Sequence, residues 1–429
     1  MPDKTEVAWN VILDKYEILA HIKKNGFYTI KASEIKKFRE PRLMAKWDSS
    51  DYLTRPLKNN KLNILPISRT EYIISDFKLY ETLPEPDSSV SATRISLPNY
   101  ESLSVEDISS ESNAINALLL SGALDDFLGR ENTAETFNGR QGSGNFSFLI
   151  DSFSGFKRGI KVNGAQLEID GGFENNSEIV IMEAKNVIHP DFLIRQLYYP
   201  YRCWRERVNK PIRLVFSQYA NQIYRLFEYS FNKPNDYSSI ELINTKNYTF
   251  EDLSISNYDI SNAWSSVNNN LVEDRADDNT IFIQADSVGK VIALVESLSR
   301  VGSMSKEEIA EELEFTTRQS DYYSNAGKYL GLISKKNSYS ELTAEGKKVA
   351  SLPYKEKQLR MVQLMCKHSI FHHFVEVAMN TGDIAPVEEI QHYMYEHNTT
   401  TKGVIERRAG SVRRWLTWIF SLPKVTNAE

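Results

Sequence analysis

Three residues of this 429-residue chain have types and spacing suited to chemistry: Asp170, Glu183 and Lys185. All three lie in QLEIDGGFENNSEIVIMEAK, residues 166–185. Mg²⁺ is commonly held by one or two protein carboxylates together with phosphate and water. Such a cation polarises a phosphate and acidifies bound water. A lysine beside that water can orient it, help deprotonate it, or stabilise charge in the transition state. The set therefore points to metal-dependent phosphodiester hydrolysis. Asp170 and Glu183 are expected to hold Mg²⁺, with Mn²⁺ as a substitute, and Lys185 to serve the attacking water.

Two strands must position these groups. In the first, Gln166, Glu168 and Asp170 share one face while Leu167 and Ile169 take the other. In IVIMEAK, Glu183 and Lys185 share a face, with Ala184 opposite. A Gly-rich polar turn is expected between the strands, and pairing as neighbours would set Asp170 beside Glu183 and Lys185. Glu168 is a candidate further metal ligand or a hydrogen-bonding support. Glu111 opens the helix-like ESNAINALLLSGALDDFLG and is a candidate to reach the same metal from outside the sheet. Its plainer explanation is an acid placed favourably in a first helical turn.

The spacing Asp-x12-Glu-x-Lys resembles that of the PD-(D/E)xK nucleases, with Ile169 where the family name has proline. The pattern is short, and an ordinary hairpin with a surface Glu–Lys pair is the alternative. Its context sharpens it, because the ExK closes one apolar strand and the Asp closes another. Some members carry a Gln on the following helix, a place that Gln196 fits as a further catalytic candidate. In chain order, NILPISRTEYIISDFKLYE, the IDGG and EAK elements, RQLYYPYR and a C-terminal winged helix resemble a family of type II restriction endonucleases. The resemblance implies site-specific Mg²⁺-dependent cleavage of double-stranded DNA and a companion DNA methyltransferase, and it admits a homodimer. Two alternatives stay open. One is a structure-specific or repair nuclease of the same fold; the other is a winged-helix regulator with an inert nuclease-like domain.

Composition sets the frame for these readings. Hydrophobic residues make up 41% and charged residues 25%, as in ordinary soluble globular chains. A net charge of −6 excludes a generic polycation, so DNA binding must rest on a local basic face. Cys203 and Cys366 are too distant in sequence to suggest a disulfide framework, and they offer no CxxC metal spacing. The N-terminal MPDKTEVAWN has no apolar signal core, and no apolar run approaches the roughly 18 residues of a membrane span. A cytoplasmic location and no membrane partner are expected.

The expected fold class is α/β, with a PD-(D/E)xK restriction-endonuclease-like core over 96–255. An α+β N-terminal domain over 1–95 precedes it, carrying the basic stretch Lys36–Lys46 as either a solvated helix end or a DNA-facing loop. A polar linker is expected over 256–285, a winged-helix DNA-binding domain over 286–352, and a second, helix-turn-helix-like domain over 353–429. In the winged helix, SVGKVIALVESLSR forms one helix and SKEEIAEELE opens a second with a capping box. A third covers TTRQSDYYSNAGKYLGLI, and SYSELTAEGKK is expected as a strand ending in a Gly turn. A third helix of this kind usually enters the major groove. Arg318, Gln319 and Asn325 suit base edges there, while Tyr322 and Lys328 suit phosphates, with Lys335 and Lys336 at the wing. A protein-binding winged helix is the alternative. Arg407, Arg408, Arg413 and Arg414 are further DNA candidates on a helix that Trp415 and Trp418 should anchor, or else a solvated basic face. His368, His372 and His373 lack HExxH and a third ligand, so they are expected as core or surface residues. NGRQGSGNF lacks the Walker lysine and is expected to form a turn.

Overall fold

The computed structural model describes residues 4–84, 90–103, 105, 108, 110–267, 271–275, 282–313 and 316–427. The architecture is mixed α/β, in two compact units. The first comprises Met1–Glu85, Leu97–Gln218 and Arg225–Lys246; the second comprises Pro86–Ser96, Tyr219–Tyr224 and Asn247–Glu429. No helix among the described residues is long and apolar enough to cross a membrane.

In the first unit the site is built on a sheet. Six of its eight strands run in the order Ile240–Thr249, Ile223–Phe231, Ile212–Ala220, Ile179–Lys185, Gln166–Glu174 and Ala134–Gly142. Ile179–Lys185 pairs in parallel with Ile212–Ala220 and antiparallel with Gln166–Glu174. A strand flanked on both edges and covered on both faces needs an apolar run rather than an alternating one. IVIMEAK meets that need, and all seven of its residues are buried. The outlying hairpin of Asn145–Asp151 and Lys157–Asn163 instead alternates exposed and buried residues. Helix Arg195–Arg205 packs Leu197, Tyr198, Tyr199 and Cys203 into the same core as Ile169, Ile181, Leu214 and Phe216.

Several local expectations change here. Gly171 and Gly172 are not part of the turn: they lie inside strand Gln166–Glu174, and the chain turns at Asn175–Glu178. A Cβ on Gly172 would stand 2.5 Å from the Phe137 carbonyl oxygen and closer still to the Phe137 ring, so only glycine lets the two strands approach. NGRQGSGNF is mostly strand, with the turn confined to Ser143 and Gly144. The segment before Arg195 is a short strand, Asp191–Leu193, paired with Tyr80–Thr82. The N-terminal residues gather around their own core of Trp9, Ile12, Ile30, Met44, Trp47, Leu57 and Ile74. Strands Asn63–Pro66 and Glu71–Ser75 form where NILPIS and EYIISDF suggest them.

In the second unit, helices Val288–Val301, Lys306–Glu312 and Thr317–Tyr329 precede strands Ile333–Lys336 and Tyr339–Leu342. Ser303–Met304 adds a third strand on the other edge of Tyr339–Leu342. Ser305 and Thr316 each close a capping box at a helix start. Asn337 and Ser338 both take positive φ, as a two-residue hairpin turn requires. Gly346 does not end a strand. It lies in helix Ala344–Ala350, capped by Thr343, where a Cβ would collide with the Leu332 carbonyl. Part of the expected linker, 268–270 and 276–281, lies outside the described residues. Its described part contains helix Asn257–Ser265, so it is not simply a linker.

Trp415 is fully buried, and its indole N–H donates to the Ala285 carbonyl at 2.9 Å; Trp418 is only half-buried. The three histidines serve packing. His368 lies over Tyr329 at 3.7 Å and contacts Asp274 at 3.0 Å, His372 stacks on Trp264, and His373 stacks on Tyr393.

Candidate active site

The antiparallel register of the two central strands ends at Met182↔Gly171, which leaves Asp170 and Glu183 as the next residues on each. The Asp170 carboxylate accepts the Ala184 backbone N–H at 3.0 Å, fixing it across the strand junction. Lys185 Nζ donates to Glu183 Oε1 at 2.8 Å. Gln196, the second residue of its helix, also donates to Glu183 Oε1. Glu111, in the first turn of helix Glu111–Leu120, lies 3.5 Å from Lys185 Nζ. Asp170, Glu183, Lys185, Gln196 and Glu111 are therefore gathered in one place.

Glu168 faces elsewhere. It pairs with Arg140 on the neighbouring strand at 3.1 Å, and both side chains are about half exposed. Within its own strand it shares the Asp170 face but lies two residues farther from the junction.

Sequence reasoning missed Asp48. This buried residue places Oδ2 3.5 Å from Lys185 Nζ and 4.0 Å from Lys46 Nζ. Nothing in the spacing of AKWDSSDY marks it, because Lys185, which it meets at the site, is more than a hundred positions away in sequence.

Four carboxyl groups thus surround one buried ammonium. Burial pushes the Glu183 carboxyl well above the usual carboxylate range; Lys185 opposes the shift, while Asp170 and Asp48 add to it. Burial by itself would lower Lys185, but Glu183, Asp48, Glu111 and Asp170 outweigh it and hold the ammonium well above its ordinary value. Burial also works to raise Asp48, yet Lys185, Lys46, Arg195 and His189 bring it below its ordinary value. Lys185 is accordingly a cationic donor, and acidic charge around it is in excess.

That excess, together with an all-oxygen donor set, suits a hard divalent cation. Two buried acceptor oxygens, Asp48 Oδ1 and Gln196 Oε1, also have no hydrogen-bond donor among the described residues. Among the described residues no group of three or more His, Cys, Asp or Glu side chains is arranged to hold a metal ion unaided. Mg²⁺ needs only one or two carboxylates when phosphate and water complete its shell, and Asp170 and Glu183 are the two that could supply them.

The DNA-contact candidates all lie in the second unit. On helix Thr317–Tyr329, Arg318 and Lys328 are exposed, while Tyr322 and Asn325 are half-buried. Arg318 lies over the Tyr322 ring at 5.3 Å and donates to its hydroxyl. Gln319 is occupied in part by its capping box, accepting the Thr316 N–H at 2.9 Å. Lys335 pairs with Asp321 at 3.3 Å, and Lys336 is exposed. On helix Ile405–Ser421, Arg407, Arg413 and Arg414 are exposed, and Arg414 pairs with Asp286 at 2.8 Å. Burial lowers the half-buried Arg408, and so do the charges of Arg407 and Arg318, which places the arginines of both helices near one another.

Three family models match successive stretches of the chain. Each is described as a domain of unknown function: DUF6996 over residues 6–74, DUF6997 over 75–249 and DUF7226 over 290–424. No curated protein and no solved structure matches the chain. The candidate site combines residues from the first two matched stretches, and the basic helices belong to the third.

Proposed function

We propose that this chain is a Mg²⁺-dependent, site-specific DNA endonuclease of the restriction type, with a PD-(D/E)xK-like core and a winged-helix-like DNA-binding part. The observation that carries the proposal is the convergence of Asp170, Glu183, Lys185 and Gln196 at one strand junction. An exposed surface pair would have left Glu183 and Lys185 in water, yet both are buried beside further acids. Asp170 and Glu183 would hold the cation, whose chemistry is to polarise the phosphate and acidify water. Lys185, kept charged, donates to the attacking water or to the oxygens on which charge develops. Gln196 orients the Glu183 carboxylate, and Glu111 bears on Lys185 from outside the sheet. Glu168, paired with Arg140, has at most a supporting part.

The winged-helix reading is supported by the order helix, short strand, helix, helix and two-stranded hairpin in the second unit. Arg318, Gln319, Tyr322, Asn325 and Lys328 would then face bases and phosphates, with Lys335, Lys336 and Arg407, Arg408, Arg413 and Arg414 on the backbone. Double-stranded DNA is the substrate, a companion methyltransferase would protect host sites, and two protomers would serve a twofold site.

Digestion of supercoiled plasmid tests the proposal. Discrete fragments are expected with Mg²⁺ or Mn²⁺ and none in chelator. Lys185→Ala should lower the cutting rate by about 10²–10⁴-fold while a gel shift and circular dichroism stay unchanged. Smearing or junction-selective nicks would point instead to a repair nuclease. Sequence-specific binding with no cutting under any metal would point to a regulator.

A further inference from the structure

We infer that Asp48, from the N-terminal stretch, belongs to the same active centre and acts as the positioning residue of Lys185, sharing its ammonium with the Glu183 carboxylate. The inference rests on the nuclease reading above.

Asp48 is held in place from both sides. Its carbonyl accepts the Leu193 N–H at 3.0 Å, and the preceding Trp47 carbonyl accepts the Tyr80 hydroxyl at 3.2 Å. Ser49 Oγ and Ser50 N both donate to Asp191 Oδ1, at 2.5 and 2.9 Å. Trp47 itself is rooted in the N-terminal core. These bonds fix the backbone that carries the Asp48 carboxylate.

Those neighbours define its task. Asp48 is 8% exposed and faces Lys185, Lys46, Arg195, His189 and Tyr80. Its Oδ2 lies 3.5 Å from Lys185 Nζ, while Oδ1 is buried with no donor among the described residues. A purely structural ion pair would normally satisfy both oxygens, since burying an unpaired acceptor is costly. The unspent acceptor lies beside the Glu183–Lys185 pair, where water must be held for hydrolysis.

Lys185 sits between two pulls. Glu183 draws it at 2.8 Å, and an ammonium seated fully on that carboxylate would compete with any cation for it. Asp48 and Glu111, each at 3.5 Å, also attract it. Without Asp48, the lysine settles on Glu183 and both groups are lost to the reaction. The stretch matched as 6–74 therefore supplies one residue to a centre otherwise built from 75–249.

The test uses the full-length chain with Asp48→Asn, which keeps the shape and removes the charge, and Asp48→Glu, which keeps the charge. Asp48→Asn should lower kcat for plasmid cleavage by about 10²-fold with KM and DNA affinity unchanged, and Asp48→Glu should recover most of the loss. Independently of cutting, the ¹⁵Nζ–¹H NMR signal of Lys185, assigned by its loss in Lys185→Met, should move in Asp48→Asn. It should not move in Asp14→Asn, a change at an exposed helical acid. Wild-type cutting by Asp48→Asn, or an equal loss in both Asp48 variants with an unmoved signal, overturns the inference and leaves the nuclease reading standing. If the wild-type chain cuts no DNA, the nuclease reading fails. The Lys185 signal then decides by itself: a moved signal keeps the positioning role, and an unmoved one overturns it.

Discussion

Glu183 is the residue on which charge, burial and metal affinity meet. Its folded-state pKa lies well above the ordinary value, chiefly through burial, so the fold takes up a proton that the unfolded chain releases. The stabilising effect of that proton is fully present below the unfolded pKa and is lost as pH rises through the folded one. Each pH unit between the two costs about 1.4 kcal/mol. Glu183→Gln carries no charge at any pH and escapes this loss. In chelator, thermal melts from pH 5 to 8 should therefore show the variant gaining on the wild type as pH rises. Parallel melting curves would mean that Glu183 ionises freely and that the buried acid excess has been misjudged. Lys185 enters the same balance from the other side, because its charge works to lower both Glu183 and Asp48.

At the scale of elements, the site depends on how closely three strands lie. Asp170 reaches the Ala184 N–H only because its strand hugs both neighbours, and Gly172 is where the approach to the Phe137 strand is closest. Gly172→Ala should lower unfolding stability by about 1–3 kcal/mol, since the new methyl meets backbone that must shift. Gly142→Ala, whose Cβ would meet only an Arg69 side-chain nitrogen at 3.8 Å, should change stability little. Denaturant unfolding of the two variants side by side checks the contrast. Equal stabilities would show that the strand pair can open without strain. A glycine after the Asp thus serves strand packing, and the polar turn that sequence pattern assigns to it lies three residues on.

For the molecule as a whole, the proposed chemistry and the proposed DNA reading fall to different units. The candidate active site lies within the first unit, and the arginine-bearing helices lie within the second. Arg318→Ala should weaken specific binding by about 1–3 kcal/mol and relax specificity if the residue reads a base. Arg407→Ala should weaken specific and nonspecific binding alike and reduce the slope of log affinity against log salt by about 1. Fluorescence anisotropy over a salt series separates the two. An equal loss on specific and random DNA for Arg318→Ala would move it to the phosphate backbone. The exposed pairs of Arg414 with Asp286 and Lys335 with Asp321 are weak, so they do not withhold those side chains from phosphate.

What the sequence determined by itself is whatever follows from neighbours along the chain. The period-two alternation of QLEID, the apolar run of IVIMEAK, the capping boxes and the amphipathic helices all follow from local sterics and patterning; they put Glu183 and Lys185 at the end of one strand, whereas Asp170, expected to close its own strand, lies in the middle of it. The mixed α/β class follows from the same patterns. Tertiary structure decided what distance along the chain conceals. It sent Glu168 to Arg140 while keeping Asp170 at the junction, because pairing register selects each partner separately. It put glycines inside strands and helices where backbone from remote segments comes close. It also brought Asp48 to Lys185, since a charge feels its neighbours through space and only folding sets that distance.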